Sequence, residues 1–494
     1  MAKFQELNPK EFYDKFSIAR RPYEDRAKRI SRMTLPYLFE ETSFTGSSDY
    51  KDEIAQSYCG RLLNTLKSKM GMSLLPPSTS SFRLEPDNEA LDALFGGNAD
   101  AKNEVFAKIS SVTNRVTKEI ENQQIRDTMF DMLLQLIGVG SVVIEKVKDD
   151  GIMNHTLQNF VVDLNSRGEA RGLCVVEKVK DLPEGIIPDE EKEEYNLYTL
   201  VERNNSDGKW YVRQSIESII VGEEVSYTED KVPFQYVGWN WTTGDKYHRP
   251  YAEDYIDDIE QYNTLSNLLT KGSVIASKVL IFVDERGNRT RIADITNSPN
   301  GEVINGRADD VSAFQLQKNF DFQVPMERLQ DIQKNLSSAF LMNESVTRDA
   351  ERVTAQEIRF MAQELESSSL SGVYSKLSKK VSKRIVQWVM QELNIDFKSV
   401  SINVITGLDA LGRNQESQKL DALVTRMAQM GYQSYINEHE LIQRYAAGEG
   451  IDVTGLIKTP SEVKAQQQAQ QQQQNEQLGA DALMESAGKT AGSL

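Results

Sequence analysis

The chain has 494 residues, more than a single hydrophobic core organises, so it must build several cores or one elongated body. With 39% hydrophobic, 27% charged and 8% aromatic residues it falls among folded globular proteins and outside the disordered class. Its formal charge of -17, from 74 acids against 57 bases, argues against gripping nucleic acid by phosphate neutralisation, although a repelling surface is compatible with a conduit.

The two cysteines, Cys59 and Cys174, form no CxxC or metal-ligand spacing, so neither a disulfide framework nor a zinc site is expected and a reducing compartment is. The opening MAKFQELNPKEF has no apolar signal region and no run of about 18 apolar residues occurs, so cytoplasmic synthesis and no membrane span are expected.

From Pro9 to Leu75 the pattern is helical, with Phe12, Phe16, Ile30, Leu62, Leu63 and Leu66 recurring among charges. Its most basic stretch, Arg20, Arg21, Arg26, Lys28, Arg29 and Arg32, is interleaved with Glu24 and Asp25 and reads as a solvated helix face rather than a nucleic-acid patch. Pro76, Pro77 and the following Ser/Thr run stop that helix, and a second helical region is predicted from Glu89 to Ile137. Between Val139 and Trp241 the period changes. The runs SVVIEKV, NFVVDL, LCVVEKV, YTLVER and KWYVRQ are separated by turn signals at Asp149-Asp150-Gly151, Asn165 to Gly168 and Asn205 to Gly208, which predicts an antiparallel sheet.

A long amphipathic helix is predicted from Pro250 to Lys278, with Tyr255, Ile259, Tyr262, Leu265 and Leu269 on one stripe and a reach of ~40 Å. Glu253, Asp254, Asp257 and Asp258 near its start suit the positive end of the helix dipole better than a metal, for which no partner ligands are evident. A small β-rich insert follows to about Phe322, and Pro325 opens a second amphipathic helix carrying Leu329, Ile332, Leu336 and Phe340. After Met342 comes the polar stretch NESVTRDAERV. Thr354 and Glu357 then form a capping box for a long helical region with Ile358, Met361, Leu365, Leu377, Val381, Ile385 and Trp388, which the run Ser367, Ser368, Ser369, Ser371 and Gly372 should kink or break. FKSVSINVIT reads as a strand and Gln415 to Tyr445 as helical, while the glutamine-rich stretch beyond Pro460 has too little apolar surface to fold.

Catalytic motifs are missing. AGKT at Ala487 to Thr490 ends like a phosphate loop, but Leu483 stands where its first glycine is required. His155, His248 and His439 form no HExxH and read as surface or packing residues; no GxSxG elbow is present. DERGN at Asp284 to Asn288 lacks the alternating ligands of a calcium loop and reads as a turn. No catalytic, cofactor or metal residue is therefore assigned.

The strings LLPPSTSSFRLEP at Leu74 to Pro86, RVTAQEIRFMAQELE at Arg352 to Glu366 and ITGLDALGR at Ile405 to Arg413, in this order of elements, resemble the portal proteins of short-tailed bacteriophages, the autographivirus-type head-to-tail connector family. The resemblance spans nearly the whole chain and implies an α+β, predominantly helical, elongated portal fold. By that match, residues 1–249 form a wing, 250–278 the first stem helix, 279–323 a β-containing clip and 324–342 the second stem helix. Residues 343–352 form a tunnel loop, 353–414 a long wing helix and strand, 415–460 a helical crown, and 461–494 a disordered tail.

The function so implied is non-enzymatic: a ring, dodecameric in this family, that forms the channel for DNA packaging and ejection at one capsid vertex. It would nucleate head assembly and dock first the large terminase subunit, then a tail adaptor and other tail proteins. Scaffolding and major capsid proteins are further implied partners, double-stranded DNA would pass without sequence specificity, and the location is the portal vertex of the virion. Twelve such chains carry 12 × -17 = -204 formal charges, which suits a channel of low adhesion. The resemblance puts Asn343, Glu344, Thr347, Arg348, Asp349, Glu351 and Arg352 in the DNA-facing loop. It puts Tyr255, Ile259, Tyr262, Leu329, Ile332 and Leu336 in stem packing, and Asp284, Glu285, Arg286, Asn288 and Arg289 on the docking surface of the clip. The alternatives are an ATPase or nuclease subunit of the packaging machinery, disfavoured by the missing phosphate loop, and a major shell protein, disfavoured by the paired helices around a β insert.

Overall fold

A computed structural model describes residues 8–39, 56–76, 82–86, 99–148, 150–180, 193–276, 279–283, 311–315, 322–342, 355–395, 400–404, 420–432, 436 and 441–442. The tunnel loop assigned above, the clip residues 284–289, Thr354, His439 and the tail beyond Pro460 lie outside them. The chain divides into two compact units, one from residues 1–68, 128–145 and 152–349 and one from 69–127, 146–151 and 350–494. Both mix helices with antiparallel strands, as expected of an α+β chain.

In chain order the elements are α1 (Pro9–Met33), α2 (Tyr58–Leu74), β1 (Phe82–Pro86), α3 (Ala99–Asn122), α4 (Ile125–Gly138), β2 (Ser141–Val147), β3 (Gly151–His155), β4 (Phe160–Leu164), β5 (Ala170–Val179), β6 (Tyr195–Arg203), β7 (Trp210–Ile216), β8 (Ile219–Tyr227) and β9 (Phe234–Gly238). There follow α5 (Ile256–Ala276), β10 (Val279–Val283), β11 (Val311–Gln315), α6 (Gln323–Ala339), α7 (Ala355–Ser367), α8 (Ser371–Leu377), α9 (Lys383–Glu392) and β12 (Val400–Val404). A further helix, α10, covers 420–429 inside the region predicted helical.

In the first unit, α1 starts where its sequence says it must. Asn8 Oδ1 accepts the backbone N–H of Lys10 at 3.1 Å, Glu11 reaches back to the N–H of Asn8 at 3.3 Å, and Pro9 needs no donor at the first helical position. Its apolar face lies on the five-stranded antiparallel sheet β4-β5-β6-β7-β8, where Phe12 is buried against Val161, Cys174, Tyr198 and Leu200. The hairpin turns are those the sequence signals. Asn165 Oδ1 accepts the N–H groups of Arg167 and Glu169, and Gly168 and Gly208 take the left-handed φ of 75° and 71° that glycine tolerates. A second sheet, β3-β2-β9, runs antiparallel between β2 and β9 in the register Ser141 to Gly238 through Glu145 to Phe234.

The predicted helix from Pro250 begins later than expected. Pro250 caps a 3-10 turn, Tyr251–Tyr255, and the α-helix opens at Ile256 and ends at Ala276, so its 21 residues reach about 32 Å rather than ~40 Å. The turn lies against Gly140, whose φ is 93° and where a Cβ would stand 2.5 Å from Pro250 N, 2.6 Å from Arg249 C and 2.7 Å from His248 O. The β insert is represented by β10 and β11, paired antiparallel from Val279–Gln315 to Val283–Val311. The second helix starts at Gln323, two residues before Pro325, which sits in its first turn as proline can.

In the second unit, FRLEP of β1 pairs antiparallel with VSINV of β12, Phe82 opposite Val404 and Pro86 opposite Val400. The sequence pattern predicted the second of these strands and not the first. The long helical region breaks after Ser367, where Ser368 Oγ donates to Leu365 O at 2.7 Å and accepts from Leu370 N at 3.2 Å, so the serine run ends the helix as expected. It also widens into a π turn, Ser378–Ser382, which no sequence signal announced. Leu365, Tyr374, Leu377, Val381, Ile385 and Trp388 are buried, and Lys69 Nζ meets Glu364 Oε2 at 2.7 Å in a nearly dry ion pair.

Gly140→Ala should destabilise the first unit by about 2–4 kcal/mol, since it adds a strained φ to a clash with backbone that cannot give way. An unchanged first thermal unfolding transition would show that this junction relaxes freely.

Candidate functional site

The features that distinguish this fold are the paired helices α5 and α6 and the base on which they stand. At that base Phe340, fully buried, lies 5.1 Å from the Tyr251 ring and 5.5 Å from the Tyr255 ring, both edge-on, and the Trp239 ring lies tilted 5.4 Å from Tyr251. Tyr251 Oη donates to Ala339 O at 2.8 Å, which ties the entry of α5 to the exit of α6. On the other side Tyr58 of α2 donates to Gln333 O at 2.9 Å and its ring sits 5.1 Å from Tyr262. Burial pushes the Tyr58 phenol above its ordinary range, with Ser337 opposing, so it stays a neutral donor at physiological pH.

Burial decreases along the pair. Ile259, Tyr262, Ile332 and Leu336 are buried within the chain and Tyr255 and Leu329 half-buried, so all six residues assigned to the stem meet protein already in one copy. Toward the other end Leu268 (59%), Val274 (54%) and Ile275 (53%) of α5 and Val324 (72%) and Met326 (56%) of α6 stay exposed. Gly272 leaves room there for the Phe322 ring, so the helices approach closely even where their outer faces are bare.

The basic stretch of α1 is not a plain solvated face. Arg29 forks onto Glu260, Nε to Oε1 at 2.5 Å and Nη2 to Oε2 at 2.8 Å, and reaches Asp257 Oδ1 at 3.2 Å. Arg26 pairs with Glu253 at 3.5 Å and Arg20 with Glu24 at 2.7 Å, while Arg20 also donates to Phe160 O at 2.8 Å. The acids at the start of α5 are thus partners of α1 as well as complements of a helix dipole. The Arg29 hydrogen bond lowers the Glu260 carboxyl below its ordinary range, and the Glu260 bond raises Arg29 in turn. Sequence spacing predicted both charge runs but not their pairing, because their separation along the chain carries no register.

His155 and His248 are both buried, and no helix among the described residues is long and apolar enough to cross a membrane. The loop 343–352 and the assigned clip residues Asp284, Glu285, Arg286, Asn288 and Arg289 lie outside the described residues.

This chain matches the family model described as bacteriophage head to tail connecting protein over residues 9–457, and it belongs to that family. It is 30% identical to the portal protein of Enterobacteria phage T3, covering 98% of this chain and 93% of the relative. It is also 30% identical to the portal protein of Escherichia phage T7, with 96% and 91% covered, and 28% identical to that of Enterobacteria phage SP6, with 83% and 81% covered. A solved structure titled as the virion of a native gene transfer agent particle is similar at a TM-score of 0.39 and 11% identity, covering 81% of this chain and 94% of that one, too slight a likeness to carry an argument. The role is that of a portal at the phage head-tail junction, a structural connector rather than an enzyme, and nothing in these likenesses favours the ATPase or nuclease alternative.

Arg29→Ala should lower stability by about 0.5–1 kcal/mol at low ionic strength, and by less in 1 M salt where screening shortens to ~3 Å. Because the folded Glu260 carboxyl is depressed, the pair contributes fully above the ordinary carboxylate range and is lost as pH falls through the folded value. Equal urea midpoints for wild type and variant at low salt and neutral pH would contradict the clasp.

Proposed function

We propose that this chain assembles with further copies of itself into a closed ring, twelve-membered as its resemblance implies, whose central channel carries double-stranded DNA during packaging and ejection. The observation that carries the reading is the burial gradient along α5 and α6. Their base is satisfied within one chain, whereas Leu268, Val274, Ile275, Val324 and Met326 are left to water. Apolar residues grouped on exposed helices mark a surface meant to be covered, and identical neighbours around a closed symmetry cover it on every copy alike. In this reading 250–278 and 324–342 are the stem, 279–323 the clip, 1–249 with 353–414 the wing, and 415–460 the crown. The ring sits at the portal vertex of the virion, nucleates the head, and receives the terminase large subunit before the tail proteins.

The net charge of -17 per chain supports passage rather than capture of DNA. The tunnel assignment for 343–352 comes from the family resemblance, and the polarity of the segment agrees with it. Arg348 and Arg352 offer brief phosphate contacts beside the repelling Glu344, Asp349 and Glu351.

Leu268→Glu with Ile275→Glu should leave the monomer folded, since both side chains already face solvent, and abolish ring formation by native mass measurement. Rings of normal mass from this variant would remove the stem from the interface. Arg348→Ala with Arg352→Ala should leave ring assembly intact and reduce packaged DNA and infectivity. Normal DNA content and infectivity, with the whole loop shortened as well, would return it to an ordinary surface connection.

A further inference from the structure

Three side chains from three strands of the first unit converge at a point that the portal role does not use. His155, at the end of β3, is 3% exposed. Its Nε2 lies 2.7 Å from Glu145 Oε2 on β2, and its Nδ1 lies 3.9 Å from Glu177 Oε1 on β5. The Phe234 ring flanks the imidazole at 6.5 Å between centroids, while the two carboxylate side chains keep 24% and 36% of their surface, so a small ion can reach them. The ligand strands are held by their own ladders, Glu145 opposite Phe234 and Glu177 opposite Leu197.

In the tautomer that donates Nε2–H to Glu145, the imidazole keeps a lone pair on Nδ1, and Glu177 Oε1 stands 3.9 Å from that nitrogen. A carboxylate holding one ring nitrogen so that the other presents its lone pair is the arrangement that orients metal-binding histidines. We propose that His155 Nδ1 and Glu177 bind one first-row divalent cation of the Zn2+ class, with Glu145 orienting the ring and water completing the coordination.

The donor atoms of the three residues all lie within 4.8 Å of one another. Two ligands about 2.0–2.1 Å from a tetrahedral ion stand roughly 3.4 Å apart, so the Glu177 side chain has to move by about half an ångström, which its partial exposure permits. A divalent charge would relieve the repulsion between the two carboxylates that face the same ring. The imidazole selects for a borderline ion over Mg2+, which favours all-oxygen shells. Because β2 and β3 belong to the three-stranded sheet and β5 to the five-stranded one, the ion clips the two sheets together.

The test uses the full chain, stripped by chelator and titrated at neutral pH with Zn2+ and separately with Mg2+, following heat of binding and the unfolding midpoint. Wild type should take up one Zn2+ per chain with a midpoint raised by several degrees at saturation, and Mg2+ should raise it little. Glu177→Gln should weaken Zn2+ binding at least tenfold, and X-ray absorption at the zinc edge should show one imidazole with oxygen ligands and no sulfur. His155→Gln should abolish binding; if that variant does not fold, Glu177→Gln and the absorption spectrum decide. Failure of wild type to bind Zn2+, equal affinity in Glu177→Gln, or sulfur from Cys59 or Cys174 in the shell would each overturn the site and leave His155 as a buried hydrogen-bond partner of Glu145.

Discussion

The seating of Phe340 against Tyr251 and Tyr255 is the contact on which the helix pair depends. Two helices separated by a long insert have no local reason to stay side by side, because closing so long a loop costs entropy before any contact returns it. A buried phenylalanine with edge-on aromatic partners is a contact whose loss in other cores costs about 3–5 kcal/mol, enough to hold the pair at one end. The remaining devices converge on the same end. Gly140 lets the chain pass tightly beside Pro250, Tyr251 ties its hydroxyl to Ala339 O, and Arg26 and Arg29 clasp the acids at the start of α5.

This concentration at the base explains why the outer ends can remain apolar and bare. A helix pair held firmly at one end presents Leu268, Val274 and Ile275 in a defined geometry without having to bury them. In the ring we propose, neighbouring copies supply the missing half of that packing. The clasp at the base is by contrast ionic and partly exposed, so it sets orientation more than it adds stability.

The fold was legible where one local rule decides. The turns at Asn165 to Gly168 and Asn205 to Gly208, the stripe of Ile259, Tyr262, Ile332 and Leu336, and the helix break after Ser367 all follow from side-chain period or from residues that fit only one backbone geometry. It was not legible where distant segments meet. FRLEP alternates apolar and charged residues over only four positions before Pro86, too short a run after the Pro/Ser/Thr stretch to announce a strand until VSINV lies beside it, and Asp257 looked like a dipole complement because nothing in sequence brings Arg29 to it. The late start of α5 has a similar cause: Pro250 fits the first turn of an α-helix and equally the cap of a 3-10 turn, and the packing of Tyr251 decides between them. His155 read as an ordinary packing histidine because its carboxylates come from β2 and β5, ten and twenty-two positions away on opposite sides. Of the residues assigned to the site, the stem positions could be traced to their surroundings, while the loop and clip positions rest on resemblance.

Electron microscopy of the purified chain should show closed annular particles with a central hole, in which Leu268, Val274 and Ile275 of each copy are covered by the α5 and α6 helices of its neighbour. Monomers, or assemblies without a channel that leave those side chains in solvent, would contradict the proposed ring.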